Sequence, residues 1–214
     1  MTFRRRSLLA LPAALALPLL RPGAAQATSM AVPAVAAPAP AFTGINSNGA
    51  QVSLAQFAGK PVVLEWTNDG CPYVRKFYNA GAMQDLQRQA AAMGAVWLSI
   101  ISSPPGEQGH VDGAGANALS QSRNAAPAHV LLDPEGRIGR IYGATVTPHM
   151  FIIDAKGTLV YAGGADSIPS TRQDDLARAT PFVRDALTAL AAGKPIANPI
   201  TRPYGCVVKY RNQV

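Results

Sequence analysis

Val62-Val63-Leu64-Glu65-Trp66-Thr67-Asn68-Asp69-Gly70-Cys71-Pro72 decides the fold of this chain. Val62-Val63-Leu64 is the apolar run of a buried strand spanning 61–66. A short polar loop follows, and Cys71-Pro72 opens a helix. Proline suits the first helical position because the N–H missing there has no partner inside the helix. In the long helical stretch that follows, Val74, Phe77, Tyr78 and Leu86 stand among Arg75, Lys76, Gln84, Asp85, Gln87 and Arg88, and Gly94 stops it. Residues 95–101 form a second buried strand with Val96, Leu98, Ile100 and Ile101. A strand–helix–strand unit of this kind implies parallel strands joined by a right-handed crossover.

Working outward, Asn48-Gly49 marks a tight turn between short extended stretches. Downstream, 102–113 is a Pro/Gly/Ser loop holding His110 and Asp112, and 114–123 is a weaker helix. A short strand at 129–132 closes on Asp133-Pro134-Glu135-Gly136, and 137–142 reads as a turn of helix. Strands at 149–154 and 158–163 flank Ala155-Lys156-Gly157-Thr158, a hairpin signal. A last helix is expected over 174–192, restarting where Thr180-Pro181 reads as an N-cap followed by proline at N1. No internal repeat is present. Early parallel units with a closing hairpin predict an α/β sandwich: a central mixed β-sheet flanked by helices.

The 214 residues suit one domain. Residues 1–27 read as a secretory signal peptide: three arginines at 4–6, an apolar run over 8–20, and the small-x-small site Ala25-Gln26-Ala27. Arg5-Arg6-Ser7-Leu8-Leu9 is twin-arginine-like, which predicts an exported, periplasmic protein with no stable membrane insertion. Residues 28–40 are Ala/Pro-rich and expected to be a tether without a fold of its own. The domain then covers 41–192, and 193–214 is a proline-rich, loop-like tail carrying Cys206 and the apolar pair Val207-Val208. Loss of the leader removes Arg4, Arg5, Arg6 and Arg21 and no acid, so the formal charge falls from +7 to +3. The mature chain has no basic run interleaved with aromatics, and nucleic-acid binding is not expected.

Two cysteines remain, Cys71 and Cys206, far apart in sequence. In an exported protein they read as a structural crosslink or a redox couple. A helix N-terminus favours the thiolate, the nucleophilic form of cysteine, and Arg75 or Lys76 one turn on adds positive potential. Against this stands a buried, inert cysteine. Glu65, an acid on an apolar strand, reads either as a desolvated proton shuttle or as a carboxylate satisfied by a neighbouring Arg or Lys.

On these residues the chain resembles thioredoxin-like proteins and, more closely, the alkyl hydroperoxide reductase / thiol-specific antioxidant group of redoxins or peroxiredoxin-like proteins. The resemblance covers about 41–192 and includes Asn48-Gly49, the strand GKPVVLEW (59–66), Asp133-Pro134-Glu135-Gly136 and Thr147-Pro148. It implies a cis-proline at Pro148 lying against Cys71, with the backbone of Thr147 free to dock an extended substrate. It also places Pro72 and Asn68 on the substrate side and His149 within reach of the sulfur. Two departures stand out. Val74 occupies the second cysteine position of a C-x-x-C motif, and Asn68 stands where the P-x-x-x-T-x-x-C pattern of peroxiredoxins has threonine.

The implied function is an exported thiol oxidoreductase. Cys71 attacks a peroxide or a protein disulfide, Arg75 favours the thiolate, Glu65 moves a proton, and Cys206 resolves. An exported thiol of unknown identity supplies electrons, and no cofactor is called for. The alternative is a non-catalytic binding module in which Cys71–Cys206 is only a crosslink. Metal binding is not expected: His110, His129 and His149 are scattered, and Arg75 replaces the second ligand of the C-x-x-x-C copper pattern found on this fold.

Overall fold

The computed structural model describes residues 33–211. The signal-peptide expectation falls outside these residues. No helix among the described residues is long and apolar enough to cross a membrane.

The chain begins with a hairpin, β1 (Thr43–Asn46) and β2 (Gln51–Ser53), whose turn is tied by Asn46: its Oδ1 accepts from the amides of Asn48 and Ala50. Then come β3 (Val62–Trp66), α1 (Pro72–Asn79), α2 (Ala82–Ala92), β4 (Val96–Ile101), α3 (Gly113–Ser122) and β5 (His129–Leu132). After α4 (Arg137–Tyr142) come β6 (Val146–Thr147), β7 (His149–Ile153), β8 (Leu159–Gly163), α5 (Phe182–Ala191) and β9 (Cys206–Val207). Seven strands form one sheet in the order β2-β1-β5-β4-β3-β7-β8, and β6 pairs with β9 beside it. β3, β4 and β5 are parallel; β1, β7 and β8 add antiparallel pairs. This is the mixed sheet flanked by helices that the sequence predicts.

β3 is central and buried on both faces, which is why its sequence is apolar without a break. Val63 on one face joins Met150, Ile152 and Tyr161 beneath Phe77, Leu86, Val183 and Leu187 of the helices. Leu64 and Trp66 on the other join Leu98, Ile100, Phe151 and Tyr142. Cys71 belongs to the first cluster.

Four expectations need correction. The single helix after Cys71 is two helices, because Gly81 adopts φ 74°, a left-handed turn favoured by glycine. The stretch at 174–192 restarts near Pro181 as expected, but its first part is a 3-10 turn (Gln173–Ala177) and α5 starts one residue late, with Pro181 as its N-cap. The tether is not featureless over 33–40: Ala36, Ala37 and Ala39 exchange backbone hydrogen bonds with Gly157 and Leu159 along the outer edge of β8, and Val35 packs on the core. The tail is not a loose loop. Pro199 and Thr201 bond Ala162 on the same edge, β9 pairs with β6, and Val208 is buried in the second cluster.

Candidate active site

The site grows from the C-terminal end of β3. Asn68 ties the following loop: its Oδ1 accepts from the Gly70 amide at 2.8 Å, and its Nδ2 donates to the Gln108 carbonyl at 3.1 Å. Gln108 Nε2 donates back to the Gly70 carbonyl at 3.0 Å, and the Cys71 amide donates to the Asn68 carbonyl at 3.0 Å. The loop thereby sets Cys71 at the N-cap of α1 with Pro72 at N1.

Cys71 is completely buried, and its Sγ donates to the Thr147 carbonyl at 3.1 Å. The Thr147–Pro148 bond is cis. The expected free edge at Thr147 is occupied by the chain's own tail: Val146 lies opposite Val207, and Thr147 opposite Cys206. Thr147 Oγ1 donates to the Cys206 carbonyl at 3.4 Å. Gly205 crosses so close to the Thr147 carbonyl that a Cβ would collide with it, so only glycine fits. Cys206 packs against the cluster containing Cys71. Its thiol is pushed up to about 12, first by burial, then by a hydrogen bond with Cys71 and by the charge of Cys71, with Lys209 opposing. The two cysteines are not joined by a disulfide in this structure.

The other expected residues are placed differently. Arg75 donates through Nε to the Asp69 carbonyl at 2.7 Å, and its guanidinium lies 3.7 Å from the Asp69 carboxylate. Its charge is engaged with the loop. Lys76 is sealed in the interior against Asp166 at 2.8 Å. Glu65 is wholly buried and satisfied neither by Arg nor by Lys. It accepts from Tyr78 Oη (2.9 Å), Gln87 Nε2 (3.4 Å), Trp97 Nε1 (2.9 Å) and Ser99 Oγ (2.9 Å). Among the described residues Cys71 is not a direct hydrogen-bond partner of Glu65. The Glu65 charge and the burial both push the Tyr78 hydroxyl well above its ordinary value, burial most.

His149 faces the opposite side of the sheet from Cys71. Its ring stacks on Phe151 at 4.4 Å, and its Nδ1 accepts from the Thr145 amide at 3.3 Å. Burial lowers its pKa to about 4. His110 and His129 bond Ser103 and Asn46, far from each other in the fold. Among the described residues no three His, Cys, Asp or Glu side chains gather as metal ligands.

Sequence reasoning missed Asp166 and Tyr204 beside the cysteines, and it gave Lys76 only a role in adding positive potential. Lys76 Nζ donates to Asp166, to the Ile168 carbonyl and to the Tyr204 hydroxyl, and Tyr204 donates to Asp166. A lysine among Val74, Phe77 and Tyr78 on the buried face of α1 was the available signal; its partners lie 90 and 128 positions away.

A family model described as Redoxin matches residues 34–179. Among solved structures, an uncharacterized conserved protein from Geobacillus kaustophilus superposes with a TM-score of 0.74 at 22% identity, covering 86% of this chain and 95% of that one. A hypothetical protein from Sinorhizobium meliloti 1021 gives 0.70 at 21% identity, covering 84% and 96%. A candidate protein disulfide isomerase from Bacteroides thetaiotaomicron gives 0.54 at 18%, covering 74% and 91%. At these identities the likeness is one of fold.

Proposed function

We propose, for a chain that belongs to the redoxin family and is a thiol oxidoreductase, that it catalyses thiol–disulfide exchange with Cys71 as nucleophile and Cys206 as resolving thiol. One observation carries the reading. β9 pairs with β6 so that Cys206 lies opposite Thr147, whose carbonyl already accepts the Cys71 thiol.

In the proposed sequence the Cys71 thiolate attacks one sulfur of a substrate disulfide. A Cys71–substrate disulfide forms, and the other substrate sulfur leaves as thiolate and takes up a proton. Cys206 then loses its proton and attacks the Cys71 sulfur, expelling the second substrate thiolate. The substrate is reduced by two electrons, and the protein keeps a Cys71–Cys206 disulfide, which an external thiol reductant must reopen. The order of attack has a physical basis. Two of the causes that hold the Cys206 thiol up come from Cys71 itself, and both vanish once that sulfur is covalently capped.

Disulfide exchange is favoured over peroxide reduction at this site. A peroxide needs hydrogen-bond donors aimed at its oxygens. Asn68, at the place of the family's threonine, has its carbonyl oxygen and one N–H engaged in the loop, and Arg75 is held by Asp69. In this reading Thr147, Pro148 and Pro72 line the substrate groove that opens at the sulfur when β9 leaves β6. The leader composition supports export to the periplasm, with the reductant met there.

The test is mass spectrometry of reduced protein mixed with glutathione disulfide. The expected product is a Cys71–Cys206 linked peptide with two glutathiones released. Cys206→Ser should stop at a Cys71–glutathione disulfide, and Cys71→Ser should be inert. A Cys206–glutathione adduct forming first would reverse the roles. Oxidation by hydrogen peroxide orders of magnitude faster than by any disulfide would replace this reading with a peroxidase. A thiol pair inert to both reagents would leave the binding-module alternative.

A further inference from the structure

Lys76 and Asp166 form a buried ion pair, with side-chain exposures of 0% and 4%. Desolvating two charges is costly, and such a pair persists only where further hydrogen bonds satisfy both groups. On Lys76 the three ammonium protons go to Asp166 Oδ2 (2.8 Å), the Ile168 carbonyl (3.0 Å) and Tyr204 Oη (3.0 Å). On Asp166, Oδ1 accepts from the Ile168 amide at 3.0 Å and from the Tyr204 hydroxyl. Tyr204 therefore completes both members of the pair. Its ring also meets Tyr73 of α1 edge-on at 5.7 Å and lies 5.4 Å from the Lys76 ammonium.

Tyr204 stands two residues before Cys206, a span of about 7 Å in extended chain. When the hydroxyl is seated, Cys206 has little freedom to leave Cys71. This segment also borders a cavity of about 620 Å³ that Asp166 lines together with Val146, Phe182, Pro203, Tyr204 and Gly205. The stretch before Cys206 is thus held down by the Tyr204 contacts and the short β6–β9 pair, not packed on all sides. Cys71 exposes no surface while the tail is down. β9 lies opposite Thr147, whose carbonyl accepts the Cys71 thiol, so a substrate disulfide approaching from this side needs β9 to leave β6.

We propose that Lys76, Asp166 and Tyr204 form a latch that sets how often the tail strand lifts, positioning Cys206 on Cys71 when shut and admitting a disulfide substrate when open. These are positioning residues: none touches the reacting sulfurs. The proposal rests on the reading of Cys71 and Cys206 as the exchange couple.

Tyr204→Phe removes the hydroxyl and keeps the ring. The latch predicts effects of opposite sign on the two half-reactions with glutathione disulfide. Capture of glutathione by Cys71, measured in a Cys206→Ser background, should quicken about tenfold. Closure of the Cys71–Cys206 disulfide, measured with Cys206 intact, should slow by a similar factor. Amide exchange should rise over 199–211 and stay unchanged in β3 and β7. Asp166→Asn, which weakens the hydrogen bond that Tyr204 donates, should shift both rates the same way and serves if Tyr204→Phe does not fold. Rates within twofold of the parent overturn the latch while leaving the couple intact. A slowing of both steps, or faster exchange across the whole sheet, also overturns it, because the hydroxyl would then serve general stability. Failure of the parent protein to close any Cys71–Cys206 disulfide instead removes the couple itself, and the latch with it.

Discussion

At the scale of single residues, burial rather than charge sets the proton chemistry. His149 shows it most simply. Its Nδ1 accepts from the Thr145 amide, so the neutral ring carries its proton on Nε2, and burial lowers the pKa from 6.5 to about 4. The unfolded chain therefore binds a proton between these values that the native protein refuses. The native state gains nothing from this below pH 4, and the contribution is fully present above pH 6.5. As pH falls from 6.5 to 4, stability should drop by up to about 3 kcal/mol from this one group. Denaturant unfolding of wild type and His149→Leu at pH 7 and pH 4.5 checks it: the pH difference should shrink in the variant, and an unchanged difference would refute it. Cys206 gives a slope of the same sign in a rate. Burial of its thiol outlasts the capping of Cys71, so disulfide closure should quicken with rising pH, about tenfold per unit below the pKa of the thiol. Stopped reactions at pH 6, 7, 8 and 9 read this directly, and a flat profile would show that loss of the Cys206 proton does not limit closure.

At the scale of elements, Glu65 is the joint. Its carboxylate gathers donors from α1 (Tyr78), α2 (Gln87) and β4 (Trp97 and Ser99), so three elements are tied to β3 by one side chain. Glu65→Ala should destabilise by about 3 kcal/mol or more, because it opens a cavity and leaves buried donors without an acceptor. Glu65→Gln, which keeps one acceptor oxygen, should cost clearly less. Chemical unfolding of the two variants separates this joint from a proton-transfer role, which would instead lower exchange rates in Glu65→Gln at unchanged stability. The sequence makes Glu65 visible as an acid in an apolar strand, and the period of β3, β4 and the β7–β8 hairpin is equally plain. Partners drawn from separate elements are not visible, because no local pattern records which donors converge. The same holds for Lys76, whose burial is decided by Asp166 and Tyr204. Gly81 escaped notice as a helix break because the apolar period resumes at Met83 and Leu86 beyond it.

At the scale of the whole molecule, the N-terminal segment and the start of the tail both lie on the outer edge of β8: residues 36–39 at Gly157 and Leu159, and residues 199–201 at Ala162. An edge strand with unsatisfied amides invites pairing with another chain, and these segments cover it. Low-complexity composition concealed this, since backbone pairing along an edge needs little from the side chains beyond Val35 and Ala39. The tail then continues across the site to bury Val208 against the second core cluster, and Tyr210 Oη donates to the Ala144 carbonyl at 2.7 Å. One segment therefore protects an edge, carries the second thiol and covers the first. Deleting residues 194–214 should separate these roles. Loss of the Val208 and Tyr210 contacts should lower stability by at least about 2 kcal/mol. Uncovering Cys71 should raise its alkylation rate by iodoacetamide at least about tenfold over full-length Cys206→Ser, which lacks the thiol but keeps the cover. The exposed edge of β8 should favour self-association, read by gel filtration at rising concentration. Equal alkylation rates in the truncated and full-length proteins would mean that the tail does not guard the sulfur, and access would then have to come through the loop held by Asn68 and Gln108.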